Sequence, residues 1–115
     1  MISIEVIRKS KEFLEIISNG NKFTRPGIVI YYLRPNGLDK FRVGISVKKQ
    51  VGNSVVRNKL RRQIRSLLRD LPTRFNEVSM VLIVMKNNQG LDYSYIKNIL
   101  DEFDGLISRV SKNNV

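Results

Sequence analysis

Apolar positions along this 115-residue chain change period several times, and each change marks an element. Phe13, Ile16 and Ile17 recur at i, i+3, i+4 spacing, which predicts a short amphipathic helix with Ser10 as its N-cap and Gly20 at its end. Gly27 to Leu33, GIVIYYL, is β-branched and aromatic and predicts a strand. Phe41 to Val47, FRVGISV, predicts another. Between them RPNGLD, Arg34 to Asp39, carries Pro35 and an Asn36-Gly37 pair, so the two strands are expected to form a hairpin. A helix is then expected from Ser54 to Asp70, ended by Leu71-Pro72. MVLIVM, Met80 to Met85, is continuously apolar and predicts a strand buried on both faces. Asp92 caps a last helix, with Ile96, Ile99, Leu100, Phe103, Ile107 and Val110 on one stripe. The order helix, hairpin, helix, strand, helix is α+β. Residues 1–115 read as one domain, without repeats or an internal linker.

The helix beginning at Ser54 is the least ordinary element. Taking Leu60 as zero, Val56, Ile64, Leu67 and Leu71 fall within about 40° of it, a stripe expected to pack on a sheet. Arg57, Arg61, Arg65 and Arg69 climb beside that stripe, with Asn58 and Arg62 next to them and Lys59 further round. No acidic residue lies between Arg57 and Arg69, although like charges at i, i+4 each cost a few tenths of a kcal/mol. A solvated helix back would normally interleave glutamates. The guanidinium fork suits phosphate, and Asn53 or Ser54 can cap the helix, whose N-terminal N–H groups add a further anion site.

Charge extends this picture to the whole chain. The formal net charge is +11, and residues 1–69 carry 16 basic against 4 acidic side chains, whereas residues 70–115 are nearly balanced. Self-repulsion on that scale costs stability, so a polyanionic partner is expected, and nucleic acid fits best because counterion release supplies its affinity. There is no cysteine and no histidine, so no disulfide framework, thiolate site or imidazole catalyst exists. Glu12 and Glu15 share a helical face, and Asp101, Glu102 and Asp104 sit on the polar side of the last helix; both groups read as solvated surface. No catalytic or metal-ligating constellation emerges. No apolar run approaches the ~20 residues of a membrane span, and the charged N-terminus lacks a signal-peptide pattern, so a cytoplasmic location is expected.

FRVGISVKKQVGNSVVRNKLRRQIRSLLRDL, Phe41 to Leu71, resembles the protein component of bacterial ribonuclease P. That family carries an R-V/L-G-I/L-S-V strand, a Gly-Asn turn and an R-N-x-x-K/R-R-x-x-R helix, matched here by Arg57, Asn58, Arg61, Arg62 and Arg65. The resemblance extends to the Glu12-Phe13 helix, the Tyr31 strand, the late apolar strand and the final helix. The chain departs from the family where Val47-Lys48-Lys49-Gln50 stands for V-S-K-K, and where Ile17 stands for a common Phe.

The resemblance implies a four-stranded sheet with packed helices, similar to a domain of ribosomal proteins, and a left-handed β-α-β crossover between the strands near Val43 and Leu82. General handedness rules would give a right-handed one. It also implies an endoribonuclease subunit whose catalysis is carried by a large RNA. That RNA holds the Mg²⁺ ions, pairs with the protein 1:1, and removes the 5′ leader of precursor tRNA. By resemblance, Asn53, Arg57, Asn58, Lys59, Arg61, Arg62, Arg65 and Arg69 face the catalytic RNA. Phe13, Ile17, Val29 and Tyr31 border a cleft for the leader, with Lys48 and Lys49 at its basic rim. Spacing alone would make Phe13 and Ile17 ordinary core. A structural RNA-binding protein of ribosomal type shares the composition and fold but not the full motif, and an independent nuclease would need catalytic groups that are missing.

Overall fold

The computed structural model describes residues 4–34, 40–70, 77–86 and 90–113, with side chains of the last helix described through residue 108. In chain order the elements are β1 (Ile4–Val6), α1 (Ser10–Asn19), β2 (Asn21–Arg25), β3 (Ile28–Leu33), β4 (Phe41–Val47), a 3-10 turn (Lys49–Val51), α2 (Ser54–Arg69), β5 (Ser79–Val84) and α3 (Tyr93–Asn113). The sheet has five strands, ordered β1-β4-β5-β3-β2. The expected count of four is therefore corrected. β1 is only three residues long, and β2 reads NKFTR, with Phe23 as its one buried position, so neither carries a periodic signal.

The expected hairpin between β3 and β4 does not form. β5 lies between them, antiparallel to β3 and parallel to β4. β3 and β4 run in opposite directions, but a local turn signal does not decide which strand lies alongside. Residues 35–39 of that segment lie outside the described residues, as does the expected helix stop at Leu71-Pro72. The hairpin that does form joins β2 to β3 through Pro26-Gly27, where Gly27 takes φ 81°. Proline fixes the first corner and glycine accepts the positive φ of the second.

Strand alternation gives the sheet two unlike faces. Phe23, Ile28, Ile30, Tyr32, Phe41, Val43, Met80, Leu82 and Val84 point to one side and are buried under α2 and α3. Leu60, Ile64, Leu67 and Leu68 come from α2, and Ile96, Ile99, Leu100, Phe103 and Ile107 from α3, as their stripes predict. The Phe103 ring meets Tyr32 edge-on at 5.2 Å and Phe23 at 5.6 Å, the T-shaped geometry that aromatic quadrupoles favour. Val56, placed on the same stripe by its angle, is 42% exposed. The first turn of α2 abuts Gly52 and the 3-10 turn rather than the sheet, so the angle was right and the neighbour was missing. Asp92 caps α3 as expected, its Oδ1 accepting from the Tyr95 N–H at 2.8 Å. At α1 the cap position is Lys9, not Ser10, and no side chain caps the helix.

Candidate nucleic-acid interface

The opposite sheet face is built from Lys22, Thr24, Val29, Tyr31, Leu33, Arg42, Gly44, Ser46, Val81 and Ile83. α1 covers only part of it. Ile16 is buried with Ile7 and Val81, while Phe13, Ile17, Tyr31, Leu33 and Ile83 pack around them half-buried. Gly44 is what lets α1 sit this close, because a Cβ there would collide with the Phe13 ring. A glycine inside a strand commonly marks such an approach.

The register sets out two rows across the strands. One runs Lys22, Tyr31, Val81, Gly44, with Val81 and Gly44 buried beneath α1, and the next, more open row runs Thr24, Val29, Ile83, Ser46. Lys22 Nζ lies 5.8 Å from the Tyr31 ring centroid, a cation over an aromatic face. Lys48 continues the alternation past Ser46 and is exposed, with its N–H bonded to the Val84 carbonyl, and exposed Lys49 opens the 3-10 turn. Phe13, Ile17 and Tyr31 pack together in one half-buried cluster, and Val29 lies in the next row of the same open strip beside α1, a shallow trough with Lys48 and Lys49 beyond it. Ser46, Ile83, Thr24 and Lys22 share this face and were not foreseen; alternation from Tyr31 and from Gly44 would have found them once the strand order was known.

The other end of this face is closed by charge. Arg42 donates to Glu5 Oε1 at 3.0 Å and to Glu12 Oε2 at 2.5 Å, and Lys40 reaches Glu5 Oε2 at 3.1 Å. Glu12 is therefore not merely solvated surface. Burial opposes the charge on Arg42, but Glu12 and then Glu5 outweigh it and raise its pKa above the ordinary arginine value. Lys40, by hydrogen bond and charge, holds the Glu5 carboxyl below the usual range, with Arg42 adding to the effect. Glu102, also expected on a solvated face, takes both Nε and Nη2 of Arg25.

On α2 the Asn53 side chain accepts from the Val56 N–H at 3.0 Å, the cap the sequence offered. Arg57 Nε donates to the Gly52 carbonyl at 3.1 Å, and Arg61 Nη1 donates to Asn58 Oδ1 at 2.7 Å. Among the described residues no carboxylate forms an ion pair with Arg57, Lys59, Arg61, Arg62, Arg65 or Arg69. The eight predicted positions do not form one patch. Arg61 and Arg65 turn toward a hollow of 310 Å³ shared with Val6, Arg8 and Phe13, where buried Arg65 Nε has no hydrogen-bond partner among the described residues. Lys59 and Arg62 face the other flank, toward Tyr93. Arg8 joins the first group through the fold alone. Among the described residues no group of three or more Asp or Glu is placed to hold a metal ion, and no helix is long and apolar enough to cross a membrane.

A family model described as ribonuclease P matches residues 2–110. The chain belongs to the ribonuclease P protein family. A ribonuclease P protein component from Mesoplasma florum is 37% identical over 108 residues, covering 94% of this chain and 96% of the relative. One from Listeria monocytogenes is 33% identical over 95 residues, covering 82% and 80%. Among solved ribonuclease P proteins, one from Staphylococcus aureus superposes with a TM-score of 0.77 at 27% identity, covering 93% of this chain and 94% of that one. Another, from Thermotoga maritima, gives 0.70 at 28% identity, with 86% and 94% covered. The mixed α+β fold is thus the ribonuclease P protein fold, here with a five-stranded sheet.

Proposed function

We propose that the chain serves a ribonuclease P ribonucleoprotein as its single protein subunit, gripping the catalytic RNA with α2 and the 5′ leader of precursor tRNA in the α1–sheet trough. The observation that carries this reading is the single-sign face of α2, with no carboxylate partner among the described residues. Arg57, Arg61, Arg62, Arg65 and Arg69 supply phosphate contacts, Asn58 and Lys59 extend them, and Asn53 holds the helix start in place. In the trough, Phe13 and Tyr31 stack unpaired bases, Ile17 and Val29 line the floor, and Lys48 and Lys49 hold the backbone. Stacking of this kind is tolerant of sequence, which suits an enzyme that meets many leaders.

In this reading the RNA and its Mg²⁺ ions carry bond cleavage, and the chain, which has no histidine or cysteine, supplies binding and positioning. The complex works in the cytoplasm at one protein per RNA. The test is an Arg61/Arg62/Arg65 triple alanine variant titrated with the catalytic RNA over a range of salt. Assembly should weaken, and the slope of log affinity against log salt should fall by about one unit per lost phosphate contact. Unchanged affinity and slope would reduce this face to solvated surface.

We further infer that the β4-α2-β5 crossover is left-handed. Viewed from the helix side with β4 ascending, an L-residue pointing at the viewer turns its N–H and C=O to the right. Val43 points to that side, and its carbonyl accepts from the Ile7 N–H on the β1 side, so β5 lies to the left. A crossover moving left over the near face is left-handed, against the usual preference.

A further inference from the structure

Tyr93, the first residue of α3, is 44% exposed, and among the described residues no hydrogen bond or ring contact engages it. Its ring forms the wall between two adjoining hollows against α2. The smaller, 380 Å³, is lined by Lys59, Arg62, Gln63 and Ser66. The larger, 570 Å³, adds Val56 and Lys86. Both volumes fall in the range of small-molecule sites, ~300–1,000 Å³. The carboxylate on this rim is Asp92, whose Oδ1 already accepts the Tyr95 N–H. An accessible aromatic face flanked by three cations, with a side-chain amide at its foot, matches a nucleotide: ring to base, Lys59, Arg62 and Lys86 to phosphate, Gln63 to a base edge.

We propose that Tyr93 is a stacking platform for one unpaired nucleotide of the catalytic RNA, so that the RNA grips α2 on both flanks. This rests on the reading of α2 as the RNA-binding helix. The occupant is the catalytic RNA rather than the leader because the hollow continues the cationic surface of α2, on the sheet face opposite the α1 trough. Charge decides against an apolar protein segment.

Tyr93→Ala and Tyr93→Phe test the stacking, with affinity for the catalytic RNA measured over a range of salt. Tyr93→Ala should weaken assembly roughly tenfold at an unchanged salt slope, and Tyr93→Phe should restore it. Lys86→Gln should lower the slope by about one. In a Tyr93→Trp variant, whose indole would be the chain's single such group, emission should be quenched by the catalytic RNA and not by precursor tRNA alone. Wild-type affinity of folded Tyr93→Ala, or quenching by precursor tRNA instead, overturns the proposal. The Arg61/Arg62/Arg65 variant measured alongside separates the two readings: if it weakens while Tyr93→Ala does not, only the Tyr93 platform fails. If Tyr93→Ala misfolds, the quenching experiment decides alone.

Discussion

The two faces of the sheet come from the same five strands, yet they are finished in opposite ways. Ile28, Ile30, Tyr32, Met80, Leu82 and Val84 disappear beneath α2 and α3, while Val29, Tyr31 and Ile83, one residue away, stay half-buried beside a helix of ten residues. If stability alone shaped this chain, the second face would be as closed as the first, since each further apolar side chain buried contributes roughly 1.5–3 kcal/mol. It is held open by specific devices. Gly44 lets α1 settle onto one end of the face, and the Arg42–Glu5–Glu12 cluster fixes that end, leaving Tyr31 half-buried and the row through Val29 accessible. One face holds the fold and the other is available to a ligand.

The largest effect should come from breaking the closed face. Phe103→Ala removes a fully buried ring from between Phe23 and Tyr32 and should cost about 3–5 kcal/mol, read as a lower denaturation midpoint at constant m-value. Tyr31→Ala on the open face should cost clearly less. Comparable losses would mean that both faces are core.

Gly44→Ala sharpens the contrast from the other side. The added methyl displaces the Phe13 ring, and overpacking of this kind costs about 1–3 kcal/mol. Because Phe13 also lines the trough, precursor tRNA affinity should fall as well, and by more than affinity for the catalytic RNA, whose Arg61 and Arg65 share a hollow with Phe13. A loss confined to stability would detach Phe13 from binding.

The smallest effect concerns the charged end. The Glu5 pKa is lowered in the fold, so its contribution is fully present above its ordinary value near 4.5 and is lost as pH falls through the lower folded value. Glu5→Gln should therefore flatten the acid limb of a thermal melt series below about pH 4.5 and leave the slope above it unchanged. An unaltered acid limb would assign that limb to other carboxylates.

How far these regions could be read from sequence differs for a physical reason. α2 was legible almost to the residue, because a 3.6-residue stripe and a cap are local facts written within one element. The arginine face was legible for the same reason. Its division into two flanks was not, since that depends on Arg8, Phe13 and Tyr93, which only the fold brings near. The sheet was misread where local signals ran out: β2 shows one buried residue in five, and RPNGLD promised a pairing that β5 occupies instead. Phe13 and Tyr31 were placed in the trough by resemblance, whereas spacing alone favoured ordinary core for Phe13.

The central claim is that the open face reads the leader while α2 holds the catalytic RNA. It is tested most directly by the affinities of the assembled complex for precursor and mature tRNA, with and without Tyr31→Ala. Loss of a stacking platform should weaken precursor binding by ~1–3 kcal/mol and leave mature tRNA binding nearly unchanged. Equal losses for both RNAs, in a variant shown to be folded and assembled, would contradict the account.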